Sequence, residues 1–144
     1  VGDRASGPRV RAARAGLRVE ISAGRLPAPT SWPFLLVTVR EAVITVGPLV
    51  VAEHGPCLGC LKRHRTDRDP QWAKIEEQLP DGPGEEPPCA AVTTLAAAAR
   101  TIAEALAVVD GGPSALIGAS VEISGADEIR RRRWERHPAC RCPP

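Results

Sequence analysis

Four cysteines carry the clearest chemistry in this 144-residue sequence. Cys57 and Cys60 form a Cys-x-x-Cys pair, and Cys140 and Cys142 form a Cys-x-Cys pair near the far end. Two close pairs, far apart in sequence, are what a tetrahedral four-thiolate zinc site requires. Each pair offers two thiolates from one turn, and the fold brings the turns together. Free thiols or disulfides are the alternative, and the spacing favours metal. Four thiolates leave no open position for water, so the zinc would be structural and not catalytic. Its binding would contribute on the order of 10 kcal/mol or more to folding.

The other candidate groups are weaker. Cys89 stands just ahead of a long helical pattern, where a helix dipole would activate a thiol as a nucleophile or sulfur carrier. No base neighbours it in sequence, so a small buried hydrophobe is the simpler expectation. His54, His64 and His137 flank the cysteine pairs and are expected to support the site or lie at the surface. The sequence contains no GxGxxG after a strand, no GxxxxGK[ST], no HExxH and no GxSxG.

Composition sets the frame around these groups. One domain with a modest core is expected, built from Val, Leu, Ile and Ala because aromatics are only 3%. A formal charge of +2 gives no electrostatic case for nucleic acid. No apolar run approaches the ~18 residues of a spanning helix, so no membrane crossing is expected, and no secretion signal opens the sequence. The odd cysteine count and the Cys-x-x-Cys spacing point to a reducing, cytoplasmic setting. Met is absent, residue 1 is Val, and Lys occurs only at 62 and 74 among 19 basic residues. These oddities raise the expectation of a truncated gene product.

Residues 1–33 read as a poorly ordered Arg- and Pro-rich arm, with a partner- or acid-binding segment as the alternative; apolar residues are too sparse to fix an element, though 17–21 alternates like a short strand. Residues 34–144 read as the folded, zinc-binding domain. Within it, residues 34–39 are apolar and β-branched, as in a strand covered on both faces. Strands at 42–46 and 49–51 follow, with Arg40-Glu41 as a turn and Gly47-Pro48 as a kink or second turn. Asp69-Pro70 opens a helix with face Trp72, Ile75 and Leu79. Residues 80–88 form a Pro- and Gly-rich loop. Val92, Leu95, Ala99, Ile102, Leu106 and Val109 make one stripe on a second helix over 90–109. That stripe is expected to face the core, with a homodimer seam as the alternative. Residues 115–123 and 128–134 read as a β-hairpin about 124–127, the four arginines 130–133 marking a solvated edge strand.

Three stretches together carry a resemblance: Val46-Gly-Pro-Leu-Val-Val51, Gly55-Pro-Cys-Leu-x-Cys-Leu-x-x-His-Arg-x-Asp-Arg-Asp-Pro-x-Trp72, and His137-Pro-x-Cys-x-Cys142. They resemble the carboxy-terminal half of ThiF-like proteins, relatives of the ubiquitin-activating enzymes, in the group associated with bacteriocin cyclodehydratases. The resemblance spans residues 34 to 142 and implies a partial ThiF-like α/β fold. That fold comprises a mixed sheet, two main helices, a C-terminal β-hairpin and a zinc knuckle of Cys57, Cys60, Cys140 and Cys142. It also implies a non-catalytic partner that presents a precursor or leader peptide to a YcaO-type enzyme, which makes thiazoles and oxazoles. The family's nucleotide-binding half and its peptide-clamping winged helix have no counterpart in this sequence. The alternatives are an adenylyltransferase or sulfur-transfer component with Cys89 as acceptor, or a remnant of one.

Overall fold

The computed structural model describes residues 16–28, 32–52, 54–80, 89–125 and 129–142. Five strands form one mixed sheet in chain order: β1 (Arg18–Ser22), β2 (Phe34–Arg40), β3 (Val43–Val50), β4 (Ala119–Ile123) and β5 (Ile129–Arg133). β1 runs parallel to β2, and every other neighbour is antiparallel. Three helices cover it: α1 (Leu58–Arg68), α2 (Trp72–Gln78) and α3 (Ala91–Val109).

Side chains alternate across a strand, so each face of the sheet collects its own partners. Leu35, Val37, Ile44, Val46, Val121 and Ile123 join Ala97 and Val108 of α3 in the larger core cluster. Phe34, Val50 and Leu61 form a smaller cluster, with Leu58 and Trp134 against it. The helices therefore lie in two layers about the sheet, with α1 toward the smaller cluster. This double coverage explains why β2 is apolar along nearly its whole length.

Three sequence expectations are met closely. The alternation at 17–21 is β1, which brings part of the N-terminal arm into the sheet beside β2. The 34–39 strand is β2, and the hairpin is β4–β5, with β5 and its arginines at the sheet edge. The remainder of the arm up to residue 15 and the loop at 81–88 lie outside the described residues.

Three expectations are corrected. Residues 43–50 form one strand, not two, and the kink expected at Gly47-Pro48 is a shift in register against β2 between Leu35 and Val37. Gly47 has φ +96, and a Cβ there would stand 2.6 Å from the carbonyl oxygen of Ala119. Only glycine lets β4 approach this closely. The helix expected from Asp69 begins two residues later, since Gln71 is its N-cap. Asp69 instead accepts the Gln71 amide at 2.9 Å through its carboxylate, in the turn between α1 and α2.

The third correction is the largest. The apolar stripe of α3 faces outward: Leu95 is 70% exposed and Val109 64%, with Val92, Ile102 and Leu106 similarly open. The helix packs through Thr93, Ala97, Glu104 and Val108 instead. Small residues let its backbone come close to the sheet, and a buried polar network holds it there. Glu104 pairs with Arg100 and accepts the Ser114 hydroxyl at 2.8 Å. The Ser114 oxygen in turn accepts the amide of Leu116 at 3.1 Å, whose carbonyl receives Leu49 of β3. Apolar periodicity had no means of announcing this choice of face. Contrary to the expectation that no apolar run approaches spanning length, α3 is by length and composition long and apolar enough to cross a bilayer. Its ion pair and its seat on the core cluster make it a sheet-packed helix.

The outward stripe of α3 and the core cluster beneath the helix should respond differently to substitution. Leu95→Ser is expected to change unfolding free energy by no more than about 0.5 kcal/mol, because the side chain already meets water. Leu116→Ala, at a fully buried position, should cost about 2–5 kcal/mol in a denaturant titration. A large loss at Leu95 would show that the stripe is covered.

Candidate metal centre

The amino-terminal pair sits where β3 hands over to α1. After a bridge between Val51 and His54, the chain turns at Gly55 and enters the helix at its N-cap, Cys57. Cys60 follows one turn later and is fully buried. The α1 N-terminus has no side-chain cap and no acidic residue in its first turn. Thiolates placed there take up the role that carboxylates fill at other helix starts. Arg65 and Arg68 occupy the last turn, where cations complement the dipole.

The carboxy-terminal pair arrives from β5 by a short path anchored to α1. His137 is buried, donates from Nε2 to Asp67 at 2.7 Å, and accepts the Ala139 amide at Nδ1. Its carbonyl accepts the Cys140 amide at 2.9 Å, closing the turn that aims the last two thiols. His64 donates from Nε2 to the carbonyl of Glu135 and packs edge-on to His137, with ring centroids 4.9 Å apart. Both histidines therefore act as clamps between α1 and the tail.

The structure brings all four sequence-predicted cysteines together. Cys57 Sγ lies 3.7 Å from Cys60 Sγ and 3.6 Å from Cys140 Sγ, and Cys60 Sγ lies 3.6 Å from Cys142 Sγ. All four sulfurs fall within 4.8 Å of one another. A tetrahedral zinc with bonds of about 2.3 Å has sulfur–sulfur edges of about 3.8 Å. The donor set and its spacing fit such an ion. None of the five cysteines is in a disulfide. Gly59, between the first two ligands, was not singled out by sequence spacing. A Cβ at this position would lie 3.2 Å from Cys140 Sγ and 3.4 Å from Cys57 Sγ, so glycine keeps the crossing of the two pairs open.

The thiols share protons unequally. Burial pushes the Cys57 thiol up, against the pull of the Cys60 backbone. At Cys140 burial also works upward, but the Cys142 amide and the thiols of Cys57, Cys60 and Cys142 outweigh it and bring it to about 7. Cys142 is pushed up to about 12, first by its contact with Cys60 and then by burial. A thiolate thus forms more readily at Cys140 than at Cys57 or Cys142. A divalent cation would have to displace those protons.

The remaining candidates are elsewhere. Cys89 packs against the larger core cluster as a partly buried small hydrophobe. His54 hydrogen-bonds through Nδ1 to the carbonyl of Ala52 and stands outside the cluster.

No protein-family model matches the chain, and no curated protein does. Solved structures do. Escherichia coli MccB in complex with selenomethionine MccA aligns with a TM-score of 0.58 at 17% identity, covering 88% of this chain and 39% of that one. The microcin C7 biosynthetic enzyme MccB with N-formylated MccA gives the same score, identity and coverage of this chain. MccB with AMPCPP and MccA aligns at 0.53 and 19% identity, over 78% of this chain and 32% of MccB. At these identities the likeness is one of fold, and it agrees with the ThiF-like architecture expected from the cysteine-flanking motifs. The chain spans about two fifths of the length of the MccB chains it matches most extensively.

Zinc titration of the reduced chain should reach one equivalent, with apparent affinity falling as pH drops from about 8 to about 6, because protons compete for the same sulfurs. Gly59→Ala is expected to weaken zinc by about tenfold, since ligand orientation rather than ligand identity is disturbed. A pH-independent affinity would exclude coordination through thiols that must first lose protons.

Proposed function

We propose that this chain is a zinc-stabilised, ThiF-like component of a pathway making thiazole- or oxazole-modified peptides. In this reading it is a non-catalytic, cytoplasmic partner that holds a precursor or leader peptide and presents it to a YcaO-type cyclodehydratase. The observation that carries the proposal is the MccB-like fold built around the four-cysteine cluster. MccB is named as a microcin biosynthetic enzyme and was crystallised with the peptide MccA. The motifs running from Gly55 to Trp72 and from His137 to Cys142 support the same group.

The chemistry of the site supports the non-catalytic reading. A zinc closed by Cys57, Cys60, Cys140 and Cys142 has no vacant position at which to polarise a substrate or a water. Its work is to fix α1 against the tail, and thereby the surfaces that α1 and β5 present. Adenylyl transfer is the second reading, supported by the complexes of MccB with ATP and AMPCPP. This sequence contains no glycine-rich phosphate loop with which to perform it alone.

The zinc-loaded chain, immobilised and offered a precursor peptide together with a YcaO-type protein, should retain both. A Cys140→Ser chain that has lost its metal should retain less of each. A folded, zinc-loaded chain that holds neither would refute the partner reading. ATP-dependent adenylation of a peptide by the chain alone would replace it with the enzymatic one.

A further inference from the structure

On the face of the sheet opposite α3, a cavity of about 500 Å³ opens between the strands and the α1–α2 pair. No cysteine lines it, and it shares no residue with the metal cluster. Its charged lining is distinctive: Arg40, Arg65, Arg68 and Arg132 against Glu41, Asp69 and Glu122. Arg132 is paired with Glu122 at 3.3 Å. Among the described residues, no carboxylate comes within 4.0 Å of Arg40, Arg65 or Arg68.

Two of these unpaired guanidinium groups converge on one ring. Arg65 lies 5.0 Å and Arg40 5.7 Å from the centroid of Trp72. Arg65 is held by a 2.9 Å hydrogen bond to the carbonyl of Gly24, which fixes its position without neutralising it. Burial lowers its pKa to about 10, opposed by Glu76 and assisted by Arg40, Arg132 and Arg68. Trp72 adds an indole Nε1–H that is buried and has no acceptor. A buried donor without a partner and a cation stripped of water by burial are each destabilising. Arg65 and Trp72 both line the cavity, and an oxyanion there would supply Arg65 with a counter-charge.

We propose that this cavity is a binding site for a small monocarboxylate with an aromatic or apolar body, its carboxylate held by Arg40 and Arg65 beside Trp72. The charge balance selects the head group. Four arginines against three carboxylates leave one positive charge to neutralise, which suits a monoanion and opposes a polyphosphate. Guanidinium and carboxylate match in bidentate geometry. The walls select the body: Leu61, Ile75, Pro48 and Trp134 line the rest, in a volume that suits a small-molecule ligand. The assignment does not depend on the peptide-presenting role proposed above.

Benzoate, its neutral isostere benzamide and inorganic phosphate should be titrated against the full chain, following tryptophan fluorescence and isothermal heat. Saturable benzoate binding is expected, with benzamide and phosphate each at least about tenfold weaker, a difference of about 1.4 kcal/mol. Arg65→Met is the direct variant, but it also removes the Gly24 contact. Arg40→Gln, at the exposed end of β2, leaves the fold intact and should weaken benzoate by about tenfold or more. Benzamide binding as tightly as benzoate would reduce the cavity to an apolar pocket and overturn the proposal. So would phosphate equalling benzoate, an Arg40→Gln chain with unchanged benzoate affinity, or no saturable benzoate binding.

Discussion

Four sulfur atoms drawn within 4.8 Å of one another join two points more than 80 residues apart in the chain. The first point is the N-cap of α1, and the second is the tail beyond β5. α1 has little apolar surface of its own, with only Cys60 and Leu61 buried. Such a helix is held by its ends. The cysteine cluster secures its start, and the Asp67–His137 hydrogen bond secures its last turn. From that fixed position Leu61 reaches the smaller core cluster beneath Phe34 and Val50, while Arg65 reaches the opposite wall at Gly24. Loosening the sulfurs would release the helix, the tail and the cavity together.

The division of labour between the two sheet faces follows from this arrangement. α3 covers one face through a larger apolar cluster and needs no metal. The other face has fewer apolar contacts and more charge, including four arginines around the cavity. Those four arginines are set against Glu41, Asp69 and Glu122, which leaves one positive charge in excess. A metal bound by the four cysteines would hold α1 against this face from its N-terminal end.

What the sequence disclosed and what it concealed have separate physical causes. β2 was legible because burial on both faces demands continuous apolar residues, and the β4–β5 hairpin because its turn is marked by Ser124 and Gly125. The four ligands were legible because thiolates at close spacing are chemically specific. α1 was not, since its stability comes from contacts at its termini and leaves no apolar stripe in the sequence. The orientation of α3 was misread for the complementary reason: its apolar stripe is conspicuous, yet the face that packs is chosen by Ala97, Thr93 and the Glu104–Ser114 network. Gly47 and Gly59 look alike as letters. Each is required by an atom brought near by a distant part of the chain. The cavity was invisible for the same reason, because Arg40, Arg65, Trp72 and Arg132 meet only after β2, α1, α2 and β5 are assembled.

The account rests on a metal held by four sulfurs. Zinc K-edge X-ray absorption on the purified, reduced chain tests this most directly. Four sulfur scatterers at about 2.3 Å, with no nitrogen or oxygen in the first shell, are the predicted result. A first shell containing imidazole nitrogen or water oxygen would contradict it, because the site would then be open and no longer a closed structural knuckle.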